Sequence, residues 1–269
     1  MKIKVNDDLD IKKIAYSGQC FRWKDLGDGR FLIPAFGKYV IASMDGSDLN
    51  LENCEEEDVK LWRRYFDLDR SYTKIRNLID KDDEFLYNAG ISGKGVRILR
   101  QDPFETLISF IISQRKSIPA IRTSVEKICR AFGKKLGEVE GEDVYSFPTV
   151  MDLYNANIEE LDKCSLGYRT PYILKAVRTL GDNPELLLKM ENMDDEKLKE
   201  TLLSFYGVGV KVASCTMLFG FGRLDTFPID VWIKRALETN YKNGFPFEKY
   251  RPYNGVMQQF IFEYFRIRQ

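Results

Sequence analysis

The sequence predicts an α+β chain: a small N-terminal antiparallel-sheet domain with helices over residues 1–98, then a larger all-helical domain over residues 99–269. Three observations carry this. Hairpin-type residues punctuate short β-prone runs between Phe21 and Leu51. Helical spacing of apolar residues takes over from Glu55. Past residue 99, prolines and a short acidic residue stand where helices would begin.

In FRWKDLGDGRFLIPAFGKYVIASMDG, the Gly27-Asp28-Gly29 and Asp45-Gly46 steps have tight-turn chemistry, because glycine and aspartate tolerate positive φ. From Glu55 on, Val59, Trp62, Tyr65 and Phe66 fall on one helical face. The acidic run EEED (55–58) ahead of them reads as a solvated helix start. ISGKGVRILRQDP (91–103) is turn-like and leads into the apolar helix FETLISFIISQRKS. Pro103, Pro148, Pro184 and Pro228 each sit near a helix start, where proline is tolerated best. Asp194 is placed to cap the helix of DEKLKETLLSFY.

Composition excludes several chemistries. The five cysteines are scattered with no C-x-x-C spacing, and there is no histidine. A disulfide framework, a Cys/His zinc site and an iron–sulfur cluster all lack their ligands. Every Ser–His or Cys–His nucleophile arrangement is likewise ruled out. No apolar stretch is long enough to span a bilayer, and MKIKVNDDLD lacks the apolar core of a signal peptide, so an intracellular chain is expected. Lys+Arg and Asp+Glu are 41 each, so a nucleic-acid partner requires positive charge gathered on one face.

LLSFYGVGVKVASCTMLFGFG (202–222) reads as helix, tight turn, helix. Gly207 and Gly209 bracket the turn, both expected to permit positive φ and to leave amides uncovered at the N-terminus of the second helix. Orphan N–H groups and the helix dipole favour an anion such as phosphate there. Lys211 stands alone in an otherwise apolar or small run. In LDTFPIDVWIKRALE (224–238), Asp230 opens a helix as its N-cap. Taken alone, the glycines read as a helix C-cap and Asp230 as an ordinary cap. Together, a lysine and a carboxylate one helix and one loop later offer an amine nucleophile beside a fixed negative charge.

GVGVKVASC followed by FPIDVW resembles the helix-hairpin-helix, Gly/Pro…Asp (HhH-GPD) superfamily of base-excision DNA glycosylases, and more narrowly its 8-oxoguanine DNA glycosylase/AP lyase branch. SGQCFRW (17–23), LRQDPFETLISFI (99–111), AFG (131–133), LGYRTPYI (166–173) and YNGVMQQFIFEYF (253–265) extend the likeness in the family's order over nearly the whole chain. The resemblance implies a helix-hairpin-helix at about 196–222 and double-stranded DNA containing 8-oxoguanine as partner. No cofactor, no metal-ligating side chain and no membrane are expected; a monomer associated with DNA is.

Residue by residue, the resemblance makes Lys211 the nucleophile at C1′ and Asp230 the carboxylate that stabilises positive charge developing on the sugar. Cys215 and Phe262 become the walls of the base pocket, and Gln258 the reader of the Watson–Crick edge. The Gly18 carbonyl becomes the acceptor for the N7–H of 8-oxoguanine. Tyr168 becomes the wedge beside the flipped nucleotide and Arg169 a contact to the orphaned base, together an exposed tip. Gly207 and Gly209 would hold backbone phosphate, directly or through a monovalent cation on loop carbonyls. Three departures bear on the opposite base: the family's asparagine run falls in SQRKSIPA with Arg115 and Lys116, its cytosine-reading arginine at Ala120, and a histidine at Trp232. They imply a relaxed opposite-base requirement. Arg115, Lys116, Lys134, Lys135 and Arg169 are the candidate positive face. Two other readings stand beside this one: a glycosylase of the superfamily for another damaged base, and a non-catalytic helix-hairpin-helix DNA-binding module.

Overall fold

The structure is a computed structural model that describes residues 1–268. Its N-terminal unit is built from β1 (Lys2–Lys4), α1 (Ile11–Tyr16), β2 (Lys24–Gly27), β3 (Arg30–Ala35), β4 (Lys38–Asp45), β5 (Asp48–Glu52) and α2 (Val59–Tyr65). The strands form one antiparallel sheet in the order β1-β5-β4-β3-β2. Asp28 and Gly46 adopt positive φ at the expected turns, and Phe36-Gly37 makes a further such turn between β3 and β4. Phe31, Ile33, Val40, Ala42, Leu49 and Leu51 face a core completed by Trp23, Trp62, Tyr65 and Phe66. The helical face foreseen after Glu55 is thus the lid of the sheet. β1 pairs with β5, a contact that no local turn signal announces.

The chain continues through α3 (Tyr72–Arg76), α4 (Glu84–Ser92), α5 (Pro103–Ser113) and α6 (Ile118–Phe132). Tyr72, Ile75, Leu86 and Ala89 join a second core, whose centre is α5. α5 starts as its sequence dictates: Pro103 lies in its first turn and Asp102 accepts the Glu105 amide at 2.8 Å. Residues 106–113 of this helix are all buried. α7 (Val150–Tyr154), α8 (Ile158–Asp162), α9 (Thr170–Gly181), α10 (Leu186–Glu191), α11 (Asp195–Ser204), α12 (Val210–Phe219), α13 (Val231–Asn240), α14 (Phe247–Tyr250) and α15 (Asn254–Arg266) complete the helical unit. α12 packs on α5 and α15 packs on α4.

A two-stranded ribbon, β6 (Lys135–Val139) and β7 (Glu142–Tyr145), interrupts the run of helices expected after residue 99. Glu140-Gly141 turns it with positive φ at both residues. Its strands are short and largely polar, so hydrophobic periodicity does not reveal them. The ribbon ties the two units together: Arg30 pairs with Glu140 at 2.9 Å and Lys24 with Glu142 at 2.6 Å. The buried Arg22 guanidinium meets Glu105 at 3.2 Å and also donates to the Tyr145 carbonyl.

Residues 97–101 run between the units and pin the SGQ loop. Gln19 Nε2 donates to the Arg97 carbonyl at 2.9 Å and Gln19 Oε1 accepts the Leu99 amide at 2.7 Å. Gln101 Nε2 donates to the Gln19 carbonyl at 2.7 Å. Arg97, fully buried, donates to the carbonyls of Asp8, Asp67 and Arg70. Gly18 is therefore carried on a loop whose neighbours are fixed on both sides.

Candidate active site

Asp194 caps α11 as foreseen, accepting the Lys197 amide at 2.8 Å. The hairpin then turns through Gly207, which has φ +81. A Cβ there would lie 2.4 Å from the Tyr172 ring, so only glycine fits. Gly209 corrects the expectation of two positive-φ glycines: it caps α12 in extended backbone at φ −97, with open space around it. Gln114 Nε2 donates to the Gly207 carbonyl at 3.1 Å, joining the end of α5 to the hairpin.

Lys211 lies in the first turn of α12 and is half-buried. Its Nζ donates to Ser113 Oγ at 3.1 Å and sits 5.2 Å from the Phe110 ring centroid. Ser113 Oγ itself donates to the Phe110 carbonyl at 2.8 Å, which leaves its lone pairs for the amine. One turn further along, Cys215 is buried; burial pushes its thiol up to about 12. The Lys211 charge opposes that rise and the Asp230 charge adds to it, so both groups act on one sulfur. Asp230 caps α13, accepting the Ile233 amide through Oδ1 at 2.8 Å.

α15 is fastened to the loop that ends in Asp230. The Gly255 amide donates to the Leu224 carbonyl at 2.8 Å, and Asn254 Nδ2 to Asp225 Oδ1 at 2.5 Å. On α15, Gln258 is buried and Phe262 half-buried, one turn apart and so on one face. The Phe262 ring lies against Gly18, whose φ is +74; a Cβ there would stand 3.2 Å from Phe262 Cζ. Among the described residues, nothing donates a hydrogen bond to the Gly18 carbonyl. The sheet unit and the helical unit therefore meet at Gly18 and Phe262, while Lys211, Cys215 and Asp230 gather on the helical side.

The expected Tyr–Arg tip is only half present. Tyr168 is 50% exposed, but Arg169 is 6% exposed. The Arg169 guanidinium lies 4.3 Å from the Tyr168 ring centroid, and it donates to the Gln114 carbonyl at 2.9 Å and the Leu166 carbonyl at 3.1 Å. Buried backbone acceptors hold this charge, where the sequence suggested an exposed one. Lys116 is similarly engaged, donating to the Ser165 carbonyl at 2.6 Å and to Ser124. Lys135 pairs with Asp143 at 2.5 Å on the ribbon, and Lys134 precedes it there. Arg115 is exposed, in left-handed backbone at φ +50. Ser113 and Gln114 were not singled out from sequence. A polar group closing the apolar run of α5 was the available signal for Ser113.

A lysine on a helix-hairpin-helix, a helix-capping aspartate beyond a proline-bearing loop and a sheet unit that meets the helical one at Gly18 and Phe262 define the DNA-glycosylase class that uses an amine. Family models agree with that class. The N-terminal domain of 8-oxoguanine DNA glycosylase matches residues 2–107, and the HhH-GPD superfamily base excision DNA repair protein matches residues 108–243. The N-glycosylase/DNA lyase of Saccharomyces cerevisiae is 31% identical, over 90% of this chain and 71% of that protein. MBOgg1 in complex with a low-affinity DNA ligand superposes with TM-score 0.94 at 36% identity, covering 99% of this chain and 95% of that one. The 8-oxoguanine glycosylase/lyase of Clostridium acetobutylicum, bound to DNA with cytosine opposite 8-oxoguanine, gives 0.91 at 34% identity over 100% and 98%. The chain belongs to the 8-oxoguanine DNA glycosylase family of the HhH-GPD superfamily. Among the described residues, no helix is long and apolar enough to cross a membrane.

Proposed function

We propose that this protein excises 8-oxoguanine from duplex DNA and then nicks the strand, with Lys211 as nucleophile. Family membership supports the activity, and one observation supports the assignment of residues: the Lys211 amine, in the first turn of the hairpin's second helix, is held at 3.1 Å by the uncharged hydroxyl of Ser113. The target nucleotide must leave the stack for its C1′ to reach Lys211. Lys211 Nζ, as the neutral amine, attacks C1′; the glycosidic bond breaks and the base departs with the bonding pair and takes up a proton. Asp230 stabilises the positive charge that develops on the sugar. The amine adduct opens to a Schiff base, a 2′ proton is lost, and the C3′–O bond breaks to release the 3′ phosphate. The hydroxyl of Ser113 orients the amine. Cys215 and Phe262 flank the flipped base, Gln258 reads its edge and the Gly18 carbonyl accepts N7–H. Gly207, Gly209 and the first turn of α12 hold the phosphate, and Tyr168 fills the vacated stack.

Excision on a panel of duplexes, each with one lesion, tests this. Release of 8-oxoguanine with strand scission, at least tenfold faster than release of an alkylated purine or oxidised pyrimidine, is expected on the order of discrimination that one or two buried hydrogen bonds supply. Preferential release of another base would contradict it. Specific binding without release would favour the non-catalytic reading.

A further inference from the structure

Tyr168, Tyr172 and Tyr206 form a row where α9 meets the hairpin. Tyr172 packs edge-on against Tyr168, with ring centroids 5.8 Å apart, and against Tyr206 at 5.2 Å. Tyr172 is also the ring that leaves room only for glycine at 207. Tyr206, the residue before that glycine, is 53% exposed. Lys175 lies one turn along α9 from Tyr172 and places its Nζ 3.6 Å from the Tyr206 ring centroid. This side chain is exposed, and its ammonium makes no ion pair and no hydrogen bond among the described residues. A ring face attracts a cation and fixes its place while leaving its charge whole.

We propose that Lys175, seated on Tyr206, binds a phosphodiester of the damaged strand next to the one on the hairpin. The inference rests on the reading that Gly207, Gly209 and the first turn of α12 hold a phosphate. Lys211 lies in that same turn, so the strand held there is the one whose C1′ it attacks. Only the rings of Tyr172 and Tyr206 separate the Lys175 ammonium from Gly207, so a strand that meets the glycine also passes the lysine. An ammonium with three unoccupied donors suits a phosphate as a point charge and reads no base. Such a cation is needed because the chain has no net charge to draw DNA in. Of the cations that the sequence nominates, Lys135 is paired with Asp143, and Lys116 and Arg169 are enclosed by backbone carbonyls.

The test measures binding to a duplex with a tetrahydrofuran abasic-site analogue, which forms no Schiff base, over a range of salt concentrations. Lys175→Gln is expected to lower the slope of log affinity against log salt by about 0.9, the share of one phosphate. Its single-turnover release of 8-oxoguanine at saturating duplex should match wild type. Tyr206→Phe keeps the ring face and should bind as wild type, whereas Tyr206→Leu should bind about threefold more weakly. A methylphosphonate, which is a neutral linkage, is then moved along each strand. At one position in the damaged strand it should weaken wild type about tenfold and leave Lys175→Gln unaffected. An unchanged salt slope in Lys175→Gln would show a contact that only fastens α9 to the hairpin and would overturn the proposal. Wild-type binding by Tyr206→Leu would overturn the seat, and a matching position in the other strand would overturn the strand assignment. If no neutral linkage in the damaged strand weakens wild type, the phosphate-holding hairpin fails and the proposal fails with it.

Discussion

Lys211 Nζ donates to Ser113 Oγ at 3.1 Å, a bond that joins the first turn of α12 to the last residue of α5. It is the one side-chain hydrogen bond of the amine among the described residues. The hydroxyl holds Nζ without a counter-charge, so the amine is oriented without being tied into an ion pair with a carboxylate.

Ser113→Ala removes that acceptor and little else, because the hydroxyl's other bond is a local one to the Phe110 carbonyl. Excision is expected to fall about tenfold at saturating substrate, with the melting temperature near wild type. Single-turnover rates beside thermal melts measure this. An unchanged rate would remove Ser113 from the account of the amine.

The opposite base should matter less here than the family pattern implies. Ala120 carries no polar group for a base, and Arg169 is committed to two backbone carbonyls. Excision of 8-oxoguanine opposite cytosine, adenine, guanine and thymine is expected at comparable rates. A strong preference for cytosine would contradict this and would require Arg169 to leave its buried site.

The two hairpin glycines should respond differently to alanine. At Gly207 the positive φ and the Tyr172 ring together should cost about 2–5 kcal/mol. At Gly209, extended and in open space, the cost should stay below about 1 kcal/mol. Denaturant unfolding of the two variants decides it; equal losses would contradict the hairpin geometry.

Burial raises the thiols of Cys20, Cys129 and Cys215 from 9.0 to about 12. The sign follows from linkage. The folded state keeps these protons above the pH at which the unfolded chain releases them, so the stability they contribute is full below about 9. It is lost as pH rises, at about 1.4 kcal/mol per pH unit for each thiol, until the folded thiols titrate. The melting temperature should therefore fall between pH 9 and 11, and replacing Cys20 with alanine should flatten that fall. A flat profile would contradict it.

Much of the site was legible because its signals are local. Asp194 and Asp230 announce helix starts by side-chain chemistry, and the isolated Lys211 stands out against valine and alanine neighbours. What escaped depends on partners distant in the chain. β1 finds β5 across the whole sheet unit, and the ribbon of β6 and β7 is held by Arg22, Lys24 and Arg30 of the sheet. Arg169 looks like any surface arginine until the Gln114 and Leu166 carbonyls enclose it. Gly209 looks equivalent to Gly207, yet only the latter faces an aromatic ring.

The proposed reaction turns on covalent attachment of the Lys211 amine to C1′. Borohydride reduction during reaction with an 8-oxoguanine duplex measures this directly, read as a protein–DNA adduct on a denaturing gel. An adduct is expected with wild type and none with Lys211→Gln, while Lys211→Gln still binds the duplex. No adduct with either protein, or an adduct that survives Lys211→Gln, would contradict it.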